Sequence, residues 1–441
     1  MNNIKKIRPT KEQHIVIIGA GFGGLQAAKE LTKHKNKVRI TLIDRHNYHL
    51  FQPLLYQVAT GQLSPEDIAY PIRSIFAGKK NVTVLKALVQ SVDLDKQSVI
   101  LCDFALSYDY LIIGCGVQPD YFGHDKWAKF APGLKTLQDA LYMRMRILNA
   151  FEYAERKQSP HTPNIVIIGA GPTGVELSGA LAELSKIVLK NDFRRIHPDR
   201  THIYLIEASP HILPGFSPKL VWAAEKALKG LGVTVLLNTM VTQISENNVE
   251  IQKGNQKESI PTQTVLWAAG VKAANTTSFL QNAEQVKKDK KNRIIVNEHL
   301  SIDGHNNVFV IGDLAYLAMA DDKPLPGIAP VAMQQGRYIA RRIIAGLKGK
   351  TVPPFRYRNK GQLAVIGRNK AIADFGFMEV KGSLAWLAWV FVHIAYLIGF
   401  QKKILVLLNW AWNYIKPKSS ARIVFGCEDK DVGHPLPKCP E

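Results

Sequence analysis

Ile15-Val16-Ile17-Ile18-Gly19-Ala20-Gly21 recurs as Ile165-Val166-Ile167-Ile168-Gly169-Ala170-Gly171, at an offset of 150 residues. Each copy is a short β-branched run that ends in glycines. Each leads into Ala/Leu-rich helical sequence, Leu25 to Leu31 in the first and Val175 to Leu184 in the second. Strand, tight turn and helix open a parallel βαβ unit. The repeat therefore predicts an α/β chain with two Rossmann-like dinucleotide-binding domains. The offset is far too long for a solenoid repeat, so an array is not expected.

Working outward, three more apolar runs end in glycine: Tyr110–Ile113 before Gly114-Cys115-Gly116, Val265–Ala268 before Gly270, and Val308–Ile311 before Gly312-Asp313. The last lies beyond the second repeat, so the chain is expected to return and complete its first domain. This places a discontinuous first domain at 11–125 and 290–350, and a second domain at 126–289. A C-terminal membrane-anchoring region follows at 351–441, with amphipathic helices at about 383–416.

The chemistry follows from the loops. Gly19-x-Gly21-x-x-Gly24 carries Phe22 and Gly23 between its second and third glycines. Gly19 permits the turn, Gly21 lets backbone approach a pyrophosphate, and Gly24 lets helix and strand pack closely, while the helix N-terminus supplies amide donors. Asp44 closes the next strand, where a carboxylate can accept from ribose hydroxyls. The second loop, Gly169-x-Gly171-Pro172-Thr173-Gly174, has its own terminal acid, Glu207. A carboxylate there repels a 2′-phosphate and favours NADH over NADPH, although Arg194, Arg195 and Arg200 lie nearby in sequence. The longer separation in the second copy points to an inserted loop around Lys190 to Arg200. Glu176 opens the second helix, either as a first-turn partner of the helix dipole or as a residue facing the nicotinamide or its partner ring. Asp313 is read either as a turn cap or as a ligand of a flavin's ribityl chain. Two dinucleotides in one chain suggest a relay from nicotinamide to flavin. A glycine-rich turn without ligand is the bland alternative.

The chain has 441 residues, 46% hydrophobic, with 57 Lys+Arg against 36 Asp+Glu and a net charge of +21. This length suits two or three domains, and the composition excludes a disordered or disulfide-stapled chain. The four cysteines, Cys102, Cys115, Cys427 and Cys439, are too few and scattered for a zinc site or a CxxC pair. No metal is expected. Lys5, Lys6, Arg8 and Lys11 before the apolar run from Ile15 mimic a signal peptide, but the run's glycines argue for a buried strand. The basic excess needs nucleic acid or anionic lipid as its partner.

The C-terminal segment decides between them. Ser383 to Phe400 is a charge-free run of 18 residues, interrupted by His393 and Gly399. Beyond it, Ile404, Leu408, Ala411, Trp412 and Ile415 recur at helical spacing, with Lys402, Asn409, Asn413 and Lys416 off that stripe. Trp386, Trp389, Trp410 and Trp412 lie in the same region, whose flanks are basic. A helix pair lying in the headgroup region of an anionic lipid surface is the reading taken. A soluble homodimer interface and a true span are its alternatives. No helix-turn-helix or RNA-binding signature is present, so nucleic acid is not expected. The residues from Glu428 read as a loose tail.

The paired glycine loops, Tyr108-Asp109-Tyr110-Leu111-Ile112-Ile113-Gly114-Cys115-Gly116 and Val308-Phe309-Val310-Ile311-Gly312-Asp313 resemble two-dinucleotide-domain flavoproteins of disulfide-reductase-like architecture. More narrowly, four stretches are similar to the type II NADH dehydrogenases, membrane-attached NADH:quinone oxidoreductases. These are Asn47 to Ala59, Trp267-Ala268-Ala269-Gly270-Val271, Ala329 to Gly336 and Gly361 to Arg368; the Trp-rich tail fits as well. The resemblance implies non-covalent FAD on Gly19, Gly21, Phe22, Gly23, Gly24, Asp44, Gly116, Gly312 and Asp313. It implies NADH on Gly169, Gly171, Pro172, Thr173, Gly174, Glu207 and Gly270. It places Glu176 near flavin and nicotinamide and implies quinone reduction near the C-terminal module. The family often shows Ala-Gln-x-Ala-x-Gln where flavin meets quinone; here Pro330 replaces the first glutamine, Gln334 keeps the second and Gln335 stands beside it. A peripheral, non-pumping respiratory enzyme on the cytoplasmic side of the bacterial plasma (inner) membrane is expected, since no set of membrane-embedded ionisable residues suits a proton pathway. The alternatives are a sulfide:quinone oxidoreductase-like flavoprotein and a soluble NADH-dependent flavin reductase of a redox protein. Sulfide chemistry needs redox cysteines over the flavin, and Cys115 alone lies near a flavin motif, where it is read as a packed residue.

Overall fold

The computed structural model describes residues 12–157, 162–273, 280–281, 286–318, 324–415 and 422–424. Expectations for the N-terminal basic run, Lys416, Cys427, Cys439 and the tail from Glu428 fall outside them. The chain divides into two compact units. The first takes the described residues up to His49, with Tyr70–Gln118 and Val271–Arg358. The second takes Leu50–Ala69, Pro119–Gly270 and the described residues from Asn359.

Each unit is built on one copy of the repeat. In the first, Gln13–Ile18 lies between Val38–Asp44 and Tyr110–Ile113 in a parallel sheet, with Val82–Lys86 beyond one and His305–Val310 beyond the other. The strand His305–Val310 comes from far along the chain, so the domain is completed late, as its sequence suggests. Ile15, Val16 and Ile17 have no exposed surface, as expected of a strand covered on both faces. The helix Phe22–Leu31 packs against Ala329–Gly346. Gly336 makes this approach possible, because a Cβ there would lie 2.2 Å from the Gly23 carbonyl oxygen.

In the second unit, Ile165–Ile168 lies between Ile203–Ile206 and Thr264–Trp267, with Val233–Leu236 outside, all parallel. The inserted stretch of this copy runs through a π-helical turn at Leu184–Val188 and a loop. There the backbone N–H groups of Arg194, Arg195 and Ile196 donate to the Glu155 carboxylate.

The compact units divide the chain at other points than the expected domains. The first unit resumes at Val271 rather than near residue 290. The C-terminal segment clusters with the second unit, its sheet, Gln362–Lys381, packing on the helix Pro172–Glu183. Gly179 sets that packing, since a Cβ there would lie 1.6 Å from the Ile366 carbonyl oxygen. Leu50–Ala69 joins the same unit because the short helix Leu55–Ala59 packs on Leu137–Arg156 and the Phe51 ring meets the His393 ring edge-on at 6.1 Å.

Candidate functional site

The two glycine loops fold alike. Gly19 and Gly169 have φ of +98° and +97°, and a Cβ at either would strike backbone, of Gly114 at 2.4 Å and of Ala269 at 2.6 Å. Only glycine serves there. A Cβ at Gly24 or Gly174 would sit 1.9 Å from the carbonyl oxygen of Gly19 or Gly169, so the third glycines hold helix against turn. Gly21 and Gly171 cap their helices and face open space, which leaves backbone accessible to a pyrophosphate.

The terminal acids repeat the pattern. Asp44 accepts the N–H of Ala20 and of His46, both at 2.7 Å. Glu207 accepts Ala170 N–H at 2.7 Å and Ser209 N–H at 2.9 Å. Each carboxylate buttresses its glycine turn, and each oxygen retains a lone pair for a ribose hydroxyl. In the first unit Gly114, Cys115 and Gly116 follow the strand beside Gln13–Ile18, and Gly312 and Asp313 follow the next one out. All of them gather with the first glycine loop at the carboxyl edge of the sheet, where this architecture binds ligands. Gly23 packs instead, since its Cβ would meet Ile311 and Ala332, while the Phe22 ring meets His49 edge-on at 5.2 Å. In the second unit Pro172 and Thr173 are exposed in the helix's first turn, and Gly270 lies under the Phe122 ring.

Cys115 differs from its expected packed state: it is exposed on the cradle side. Burial around the sulfur atom, and then the Asp44 carboxylate, push its thiol up to about 12.

The glutamines of the Ala329–Gly346 helix are engaged with backbone. Gln335 is 1% exposed, and its Oε1 accepts the Gly312 N–H at 2.7 Å. Gln334 is tied at both ends of its amide to Arg358. Pro330 occupies the helix's first turn, where a missing N–H costs nothing.

Glu176 opens onto a cavity of about 130 Å³ in the second unit, lined by Tyr56, Gln57, Val365, Trp389, Trp410 and Tyr414 among others. Burial pushes its carboxyl up to about 8, against smaller opposing effects of the Val365 N–H, which donates at 3.5 Å, and of Trp389. The acid is therefore protonated at neutral pH. Trp389 is 2% exposed, and among the described residues its Nε1–H has no hydrogen-bond partner. Its ring packs on Trp410 at 5.2 Å. Glu183 lies about two turns further along the same helix, accepts the Arg368 N–H and is also raised by burial. The Arg368 guanidinium stacks over Tyr414 at 3.9 Å. Glu176 is thus the one expected site residue on this pocket. Tyr56, Gln57, Trp389 and Trp410 were not singled out as site residues, although Tyr56-Gln57 lies in a family-like stretch and the tryptophans cluster in sequence.

The C-terminal helices present their apolar faces outward. Ile404, Leu408, Trp412 and Ile415 are all exposed, Ile415 at 73%, and Asn413 turns toward the pocket. Leu384, Leu387 and Phe391 project likewise from Ser383–Tyr396. That helix has 14 residues, about 21 Å at 1.5 Å per residue, short of the ~30 Å hydrocarbon core. Among the described residues no helix is long and apolar enough to cross a membrane.

Two dinucleotide cradles, each closed by a carboxylate, define a nicotinamide-dependent flavoprotein. Residues 13–336 match the pyridine nucleotide-disulphide oxidoreductase family, and residues 359–417 match the NDH2 C-terminal domain. The chain is 40% identical over 423 residues to the type II NADH:quinone oxidoreductase Ndh of Mycobacterium tuberculosis, covering 93% of this chain and 90% of that one. It is 42% identical over 415 residues to NdhA of the same organism, covering 91% and 87%. Its fold is similar to that of NDH2 from Plasmodium falciparum solved with NADH, with a TM-score of 0.85 at 21% identity over 94% of this chain and 100% of the other. The chain belongs to the type II NADH:quinone oxidoreductases.

Proposed function

We propose that this chain oxidises NADH on the second cradle and, through non-covalent FAD on the first, reduces a quinone drawn from a membrane. NADH, one proton and quinone give NAD⁺ and quinol. FAD, when bound, supplies the two-electron redox chemistry; the residues of this chain bind, orient and hold protons. The quinone head would sit in the Glu176 cavity, whose volume of about 130 Å³ suits one six-membered ring, since an apolar cavity of ~150 Å³ holds benzene. Glu176 would hold at its carboxyl the proton that quinol formation consumes. Gln334 and Gln335 would act through the Arg358 and Gly312 backbone that they hold.

The observation that carries this reading is the Glu176 carboxyl set in a Trp-walled cavity, within the unit whose C-terminal helices turn apolar faces outward. Those faces would seat the enzyme peripherally on an anionic lipid surface, on the cytoplasmic side, in reach of an acceptor dissolved in lipid. Sulfide chemistry is not favoured, because the relatives are NADH:quinone oxidoreductases and the Cys115 thiol is held protonated. The test is an absorption spectrum of the purified protein during anaerobic NADH addition, followed by quinone in vesicles. A yellow protein that NADH bleaches and quinone recolours supports the reading; a spectrum indifferent to either reagent overturns it.

A further inference from the structure

The wall of the Glu176 cavity contains a chain of hydrogen bonds whose direction is dictated by one donor. The Trp410 indole can only donate, and it does so to Gln57 Oε1 at 2.8 Å. That contact settles which end of the amide is which. The Gln57 Nε2 must face the other way, where it donates to Tyr56 Oη at 3.1 Å. Gln57 is 5% exposed and Tyr56 4%, so water does not compete for these groups. Tyr56 Oη therefore already accepts a hydrogen bond from its neighbour. Its own proton must go elsewhere, and among the described residues no acceptor takes it. Burial, with the Glu176 and Glu183 carboxyls, raises the Tyr56 pKa, so the proton stays on the oxygen. A buried hydroxyl with an unspent proton on a cavity wall is a costly arrangement unless something in the cavity accepts it.

We propose that Tyr56 is the hydrogen-bond donor to a carbonyl oxygen of the electron acceptor, and that Trp410, acting through Gln57, is the positioning residue that aims its proton into the cavity. The inference rests on the reading of the Glu176 cavity as the acceptor site. It identifies the ligand's chemistry as a ring carbonyl, which accepts a proton in a hydrogen bond and has none to give. A hydroxylated ring lacking that carbonyl would not be held in the same way. Without the indole N–H, the Gln57 amide can rotate and present Oε1 to Tyr56, which would draw the phenolic proton away from the cavity.

The test uses the full-length flavoprotein, NADH and a short-chain benzoquinone, with the rate of anaerobic flavin bleaching by NADH as internal reference. Tyr56→Phe removes one hydroxyl and is expected to lower kcat/KM for the quinone about ten- to hundredfold, the range of a lost hydrogen bond to a buried polar group. KM for NADH should not move. Trp410→Phe is expected to lose about three- to tenfold with quinone, and to lose nothing further when added to Tyr56→Phe. A Tyr56→Phe enzyme within twofold of the parent, or a Trp410→Phe loss of equal size in both backgrounds, overturns the proposal. Glu176→Gln separates the two levels. If it alters quinone kinetics while Tyr56→Phe does not, the donor assignment fails and the cavity stands. If neither variant alters them, the cavity is not the acceptor site.

Discussion

Gln334 closes both ends of its side-chain amide on one residue: Nε2 donates to the Arg358 carbonyl oxygen at 2.9 Å, and Oε1 accepts the Arg358 N–H at 3.0 Å. A glutamine used in this way fixes the chain that enters the C-terminal sheet, and its amide is already committed to protein.

Replacing Gln334 with Leu should therefore act on stability before acceptor chemistry. The loss of two backbone partners should cost about 1–3 kcal/mol, read as a lower midpoint in urea unfolding. Gln335→Leu should cost a similar amount and, by loosening Gly312, should also weaken retention of FAD, measured as flavin released on gel filtration. Unchanged midpoints in both variants would contradict these roles.

Glu207→Gln should erode the preference for NADH over NADPH. The neutral amide no longer repels a 2′-phosphate, and it can still accept one of the two N–H groups that Glu207 now holds. A fall of about tenfold in the ratio of kcat/KM values is expected, equivalent to ~1.4 kcal/mol. An unchanged ratio would remove Glu207 from the ribose site.

Glu176 gives a pH dependence with a definite sign. Its folded value of about 8 lies above the ordinary 4.5, so between those values the folded chain keeps a proton that the unfolded chain has released. Stability contributed by this group is present below pH 4.5 and is lost as pH rises toward 8. Glu176→Gln should therefore gain on the parent in denaturant midpoint between pH 5.5 and 8.5. In the parent, quinone turnover should fall as pH passes about 8, because the proton that Glu176 would donate is gone. Parallel midpoint curves for parent and variant would exclude a protonated Glu176.

Charge placed on the outward apolar stripe should detach the enzyme from lipid. Leu408→Glu with Trp412→Glu should abolish sedimentation with anionic vesicles while leaving the anaerobic bleaching by NADH intact. Sedimentation equal to that of the parent would exclude this stripe as the lipid contact. Removing the whole segment from Ser383 is a poorer test, since it also strips Trp389 and Trp410 from the cavity.

Much of this architecture was legible in the sequence because it is local. The repeated β-branched run, its glycines and the acids Asp44 and Glu207 lie within one βαβ unit each, and strand His305–Val310 announced itself by the same pattern. The cavity was legible only through Glu176. Tyr56 and Trp410 are joined by Gln57 across 353 residues between Gln57 and Trp410, and no local period signals such a pairing. Nor does sequence tell whether a glutamine amide on a helix faces a ligand or a backbone, as Gln334 and Gln335 illustrate. The spacing in Phe400–Ile415 reads as an amphipathic helix, but which side faces the protein depends on Asn413, which lines the cavity.

An apolar stripe turned away from the protein changes how the enzyme would meet its acceptor. Once held at a bilayer, it would search a plane rather than a volume, and its rate would follow the number of acceptor molecules per unit of lipid area. Adding inert lipid at constant quinone would slow it, although no bulk concentration had changed.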